Sequence, residues 1–215
     1  MTNGKWPGSC TLTGQAATDN ILDSMSNIKL NRKEIELANG KVMLRPYRLR
    51  DTDETCRAIR ESLAELTPWL PFVHKDYSLK ESRAWIKKRP EDWKKGIAYD
   101  FAIFDSADGS YLGGCGLNKI ERENHRANLG YWVRTSRMGQ GVAPSATLLL
   151  AKWGFQELSL KRIEILVATD NKRSLRVAEK AGAQREGILR NRLLIRDKAY
   201  DAVMHSLIPQ DLAKV

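Results

Sequence analysis

The stretch Arg137-Met138-Gly139-Gln140-Gly141-Val142-Ala143 restricts the folds open to this chain more than any other. A run with strand character, Leu129-Gly130-Tyr131-Trp132-Val133, leads into it. Beyond it Ala146, Leu149, Leu150 and Trp153 recur at i, i+3, i+4 and i+7, one face of a helix. Strand, glycine-bearing basic loop and helix form a cradle for a phosphorylated ligand. Glycines admit close backbone approach, successive N–H groups converge on phosphate oxygens, and the helix N-terminus adds partial positive charge. The loop is not a P-loop, because no Gly-Lys-Ser/Thr follows, and it is not G-x-G-x-x-G. Taken alone, it reads equally well as an ordinary left-handed turn, for which Gly is the usual residue.

The downstream order adds weight to the ligand reading. Residues Arg162 to Thr169 alternate and are β-branched enough for a strand. Asp170-Asn171-Lys172-Arg173-Ser174 then opens a second helix, with Ser174, Val177, Ala178 and Ala181 on one face and Gly182 as its stop. Together with Gly130-Tyr131-Trp132-Val133, Glu179-Lys180-Ala181-Gly182, Glu186-Gly187 and a late Tyr200-Asp201, this order resembles the acyl-CoA-dependent N-acetyltransferases of the GNAT superfamily. The nearest branch is that of the Rim-type acetyltransferases of ribosomal-protein N-termini, and the resemblance covers roughly residues 41–208.

That resemblance implies acetyl-CoA as co-substrate, with no metal, and assigns residues. Tyr131, Trp132 and Val133 would line the pantetheine and thioester, with backbone amides there holding the carbonyl oxygen. Arg137, Met138, Gly139, Gln140, Gly141, Val142 and Ala143 would hold the pyrophosphate. Asn171 would bond the pantetheine, and Ser174 would stand near the sulfur as candidate general acid. Both residues are also favoured helix N-caps, so a purely structural role stays open. Lys172 and Arg173 either reach the adenosine 3′-phosphate or are plain surface cations. Trp69, Phe72 and Tyr131 are the candidate acceptor-binding residues, since the matching Pro/Trp loop borders the acceptor groove in this family.

With 36 Lys+Arg against 26 Asp+Glu the net charge is +10. The positive charges are interleaved with carboxylates, without a Lys/Arg block or an RNA-binding signature, so nucleic acid is not the expected partner. A phosphate-rich co-substrate accounts for part of the excess. Cys10, Cys56 and Cys115 are odd in number and scattered, and His74, His125 and His205 are isolated, which is neither a disulfide framework nor a metal pattern. No apolar run approaches a membrane span, and Met1–Gly14 holds no signal core, so a cytoplasmic protein without a membrane partner is expected. Residues 1–27, polar and rich in small side chains, read as a mobile leader to one domain over 28–215. A homodimer is left open.

Along the chain, Asn39-Gly40 between Ile35-Glu36-Leu37 and Val42-Met43-Leu44 predicts a hairpin. Asp51-Thr52-Asp53-Glu54 and Ser78-Leu79-Lys80-Glu81 read as capping boxes. The first opens a helix buried through Cys56, Ile59, Leu63 and Leu66; the second opens one running through Trp85 and Ile86 towards Pro90. Thr67-Pro68-Trp69-Leu70-Pro71-Phe72 is a loop, acting either as a lid on the core or as an acceptor wall. Strands follow at Tyr99–Phe104, Tyr111–Ile120 and Ala127–Val133, then closing strands at 184–195 and 199–208. A helix over 143–158 makes the strands ending at Val133 and starting at Arg162 parallel neighbours. The expected fold is α+β, GNAT-like in three layers. Its sheet is mixed and mostly antiparallel, with helices on both faces and a central parallel pair splaying after Val133 to hold acetyl-CoA.

The chain departs from the family where catalysis is concerned. Ser136 stands where the loop usually begins with Gln or Arg, Ala178 replaces a common tyrosine acid, and Ala183 replaces the usual aromatic. Asn128 and Leu193 fall where relatives carry a carboxylate base. Proton acceptors are then water or a carboxylate among Glu121, Glu123 and Asp201, the last also a plausible strand-end ion pair. The expected activity is acetyl transfer to a primary amine by direct attack in a ternary complex, the acceptor being a protein or peptide N-terminus. A small amine, such as an aminoglycoside or amino-acid derivative, is the alternative acceptor. A non-catalytic CoA-binding regulator is the alternative of another class, and an RNA-binding module a further one.

Overall fold

A computed structural model describes residues 35–214 of the chain; the leader read over residues 1–27 lies outside them. Its strands are β1 (Leu37–Ala38), β2 (Val42–Pro46), β3 (Tyr99–Asp105), β4 (Tyr111–Glu121), β5 (Arg126–Val133), β6 (Arg162–Ala168), β7 (Gln184–Ile195) and β8 (Lys198–Leu207). The helices are α1 (Thr52–Glu61), α2 (Leu63–Leu66), α3 (Leu79–Lys94), α4 (Val142–Glu157) and α5 (Lys172–Lys180). All eight strands join one open sheet in the order β1-β2-β3-β4-β5-β6-β8-β7. Only β5 and β6 pair in parallel, because α4 returns the chain to the same end of the sheet. No helix among the described residues is long and apolar enough to cross a membrane.

Side chains alternate along each strand, which sorts the sheet into two faces. On one, Ala102 and Phe104 of β3 pack with Tyr47, Ala58, Ile86 and Tyr111 beneath α1 and α3. On the other, Tyr99 and Phe101 meet Trp153 of α4 with ring centroids 5.4 and 5.2 Å apart. Register carries this division across to β5: Phe101, Cys115 and Tyr131 are level, as are Ala102, Gly114 and Trp132. Tyr131 therefore shares the face of α4, and Trp132 that of α1 and α3. Close packing of α4 depends on Gly154, where a Cβ would stand 2.8 Å from Leu117 Cδ1.

Three local expectations give way to competing contacts. The Asp51 carboxylate does not cap α1. It takes the backbone N–H of Arg48 at 2.7 Å and two guanidinium nitrogens of buried Arg45 at 2.8 and 2.7 Å. A buried charge needs its partner more than a helix end needs a cap, and α1 starts at Thr52 without one. The α3 helix runs through Pro90 to Lys94. Pro90 sacrifices one backbone bond. The extra turn is held by Trp93, 5.1–5.7 Å from the rings of Tyr99, Phe101 and Trp153, and by Arg89, paired to Asp92 and Asp100.

The third correction concerns the parallel pair. Its ladder ends at Asn128↔Glu164, well before Val133. From there β5 stays with β4 as far as Val133, while β6 stays with β8 as far as Ala168. Each strand follows the twist of its own antiparallel neighbour, and a gap opens between them.

Candidate active site

The glycine loop is set in place by acidic residues of the helices before it. Glu61 at the end of α1 accepts from Arg134 Nε at 3.0 Å and from the Ser136 backbone N–H at 2.9 Å. Ser62 Oγ takes the Thr135 N–H at 2.9 Å. The Arg134 guanidinium, ahead of these N–H bonds, holds the Glu61 carboxyl down at about 2. Ser136, a departure from the family pattern, is thus used here through its backbone.

Gly139 and Gly141 both adopt left-handed conformations, at φ 78° and 75°, which costs a non-glycine residue about 1–2 kcal/mol. Gly141 is the N-cap of α4 and Pro144 its third residue, which has no N–H to satisfy. Among the described residues, none accepts from the backbone N–H groups of Gly139 to Ala143. Five N–H groups without a protein acceptor at a helix start suit the pyrophosphate expected there. The Arg137 side chain turns elsewhere: its guanidinium lies 3.4 Å from Asp105 and 3.6 Å from Asp108, on the β3–β4 turn. Arg173 Nη1 reaches Met138 Sδ at 3.6 Å, while Lys172 donates to the Thr169 carbonyl.

Where β5 and β6 part, Tyr131 bridges to α5. Its hydroxyl donates to the Ser174 carbonyl at 2.9 Å and lies 3.1 Å from Ser174 Oγ. Burial pushes the phenol up to about 12, against the pull of the Ser174 bond, so it stays protonated at neutral pH. Capping of α5 falls to Asn171, whose Oδ1 takes the Ser174 N–H at 3.1 Å. The Asn171 side chain thus caps the helix, and the Ser174 hydroxyl faces the tyrosine.

On the opposite face, Trp132 borders a hollow lined mainly by aromatic rings, among them Phe72, Tyr77 and Trp85, with Glu81 also in its lining. The Glu81 carboxylate is already bonded to Ser78 and His74. Phe72 is half-exposed at 49%. Trp69 stands apart from the hollow, against Tyr200 with centroids 6.4 Å apart. Arg196, in the β7–β8 turn, donates to three carbonyls in and just after the Pro/Trp loop: Thr67, Leu70 at 3.2 Å and Val73 at 2.5 Å.

Two of the three carboxylates considered as bases are engaged by neighbours. Asp201 Oδ1 accepts the Asn191 N–H at 2.8 Å where β7 bulges. Glu121 is bonded to Asn124 and Arg126, which lower its carboxyl in that order. Glu123 is exposed in the β4–β5 turn.

Two residues gain interest only from the fold. Arg196 reads in sequence as one member of a turn, and Lys41 as the residue after Asn39-Gly40. No local pattern could reveal that Lys41 Nζ stands 3.0 Å from where a Cβ of Gly141 would be.

Comparison with known proteins places these features in context. Residues 41–184 match the family model described as an acetyltransferase (GNAT) domain. The uncharacterized N-acetyltransferase p20 of Bacillus licheniformis is 30% identical over 82% of this chain and 98% of its own. The ribosomal-protein-serine acetyltransferase of Escherichia coli is 31% identical over 63% of this chain and 72% of its own. Among solved structures, Mycobacterium smegmatis RimJ in complex with CoA-disulfide superposes with a TM-score of 0.74 at 25% identity, covering 82% of this chain and 87% of that one.

Proposed function

This chain belongs to the GNAT acetyltransferase family and is an acetyl-CoA-dependent N-acetyltransferase; we propose that its acceptor is the N-terminal amine of a protein or peptide, attacked directly in a ternary complex. The observation that carries this reading is the gap beyond Asn128. Beyond that point Tyr131, which meets Ser174, lies on the face of α4, Trp132, which lines the hollow, lies on the other, and the loop Gly139–Ala143 follows the end of β5. Cofactor and acceptor would thus approach from opposite sides of the sheet.

Acetyl-CoA, when bound, supplies a thioester carbonyl as electrophile and a thiolate as leaving group. The N–H groups from Gly139 to Ala143 would hold the pyrophosphate, and Tyr131 to Val133 would hold the pantetheine and the carbonyl oxygen. Ser174 Oγ–H would protonate the sulfur as its bond to carbon breaks, the serine recovering its proton from solvent. The new bond joins the acceptor nitrogen to that carbon, and the proton shed by the nitrogen goes to solvent. Solvent as proton acceptor is consistent with the engagement of Asp201 and Glu121 elsewhere. It also favours α-amines: with a pKa near 8, roughly a fifth or more is neutral near pH 7.5, against about one part in a thousand for a lysine side chain.

The relative named for acetylating a ribosomal protein supports a protein acceptor. An aminoglycoside suits the hollow poorly, since its lining is mainly aromatic and the Glu81 carboxylate is already bonded to Ser78 and His74. The test is free-thiol release from acetyl-CoA with peptides bearing a free N-terminus, the same peptides N-blocked but carrying lysine, and a panel of small amines. Release confined to the free N-termini is expected. Release with blocked lysine peptides or small amines alone would overturn the acceptor assignment, and acetyl-CoA binding without turnover on any amine would favour the regulator.

A further inference from the structure

Cations around the glycine loop are not equivalent. Arg137, the obvious partner by sequence, is engaged by Asp105 and Asp108. Lys41 makes no ion pair among the described residues, yet its ammonium lies beside Gly141, 3.0 Å from the position a Cβ there would take, with Cε at 3.6 Å. Its backbone is pinned on both sides. The N–H donates to Asn39 Oδ1 at 3.2 Å, and the carbonyl accepts from the Ser106 N–H at 3.2 Å. An Asn-Gly turn therefore carries an unneutralised cation to a helix N-terminus whose N–H groups have no protein acceptor.

We propose that Lys41 is a phosphate-binding residue of the co-substrate site, placing its ammonium on the pyrophosphate that the Gly139–Ala143 amides hold. The inference rests on the acetyl-CoA reading of that loop and extends it to the β1–β2 hairpin, a part of the chain far from it in sequence. Backbone amides supply directed donors with partial charge; a lysine supplies the full charge they lack, as three donors on a flexible stem. Lysine suits the position sterically as well, since Gly141 has no side chain to meet it. Arg137 keeps a different task, tying the start of the loop to the β3–β4 turn, whose Ser106 in turn anchors Lys41.

Titration calorimetry on the full chain tests this with two ligands: acetyl-CoA, and S-acetyl-pantetheine, which has no pyrophosphate. Lys41→Ala should weaken acetyl-CoA binding by about 5–10-fold, as expected for one solvent-accessible charge-assisted contact, and leave S-acetyl-pantetheine unchanged. Lys41→Arg should recover most of the loss, and raising the salt should narrow the gap between wild type and Lys41→Ala. Because Lys41 is exposed, thermal melting of the variant should match wild type. Wild-type affinity for acetyl-CoA in Lys41→Ala would overturn the inference alone, as would equal weakening of both ligands. Failure of the wild type itself to bind acetyl-CoA would overturn the loop reading, and the inference with it.

Discussion

Replacing Tyr131 by Phe isolates the contact that joins the two sides of the site. The phenol donates to the Ser174 carbonyl and lies 3.1 Å from Ser174 Oγ. One proton cannot serve both: at rest it lies on the carbonyl, and for transfer the phenol turns it onto Ser174 Oγ, leaving the serine proton free for the sulfur. Tyr131 thereby orients the proposed acid without touching the sulfur. Tyr131→Phe removes one buried hydrogen bond and leaves a carbonyl without its donor, a loss of about 1–2 kcal/mol. For a chain of this size that lowers Tm by about 2–8 °C. Freed from the tyrosine, the Ser174 hydroxyl spreads over its rotamers, and about 1 kcal/mol of lost orientation slows kcat about fivefold. Ser174→Ala removes the acid itself, and kcat falls about 100-fold. Because Tyr131 acts through Ser174, the double variant should be no slower than Ser174→Ala. The assay is steady-state thiol release at saturating acetyl-CoA, with thermal melts to confirm folding. An additive loss near 500-fold in the double variant would refute the coupling, and Ser174→Ala at wild-type speed would refute the acid assignment. The pH profile adds a check. A phenol near 12 cannot produce an alkaline limb between pH 7 and 9, so any such limb must survive in Tyr131→Phe.

Two further outcomes follow from the anchors of the loops. Glu61→Gln should cost about 1–2 kcal/mol at pH 7 and weaken acetyl-CoA binding, both read in melts with and without ligand. The folded-state carboxyl is depressed to about 2 from 4.5, so its stabilisation is full above about 4.5 and is lost as pH falls through 2, where the two proteins should melt alike. Arg196→Ala frees three carbonyls in and just after the Pro/Trp loop. Acceptor KM should rise about tenfold with little change in acetyl-CoA affinity, and an unchanged acceptor KM would show that this clamp does not shape the groove.

What could be read from sequence and what could not divides along contact range. The hairpin at Asn39-Gly40, the cap at Ser78 and the order of strand, glycine loop and helix depend on residues a few positions apart, and they stand in the fold as expected. Gly182 ends α5 as expected, with Ala183 N–H on the Ala178 carbonyl and Gly182 N–H on that of Glu179. Asp51 is the exception: its partners, Arg45 and the Arg48 N–H, are only six and three residues away, yet the capping-box pattern does not name them. Pro90 signals a stop that an aromatic cluster drawn from three elements overrides. The site is less legible for the same reason. Tyr131 and Ser174 are 43 residues apart, and Arg196 and Thr67 are 129 apart. Each residue could be nominated by type, but their meeting is a property of strand order, which no window of sequence contains.

The early end of the β5–β6 ladder has a mechanical meaning. Three residue pairs join a five-stranded slab, β1 to β5, to a three-stranded one, β6 to β8. The sheet is stitched at one end and unzipped at the other, so a molecule lodged in the slit completes the fabric. Any ligand held there lends the folded state RT ln(1 + [L]/Kd), about 2.7 kcal/mol at a hundredfold excess over Kd. If the acyl donor is held there, as proposed, its abundance would set how long the protein lasts as well as how fast it works.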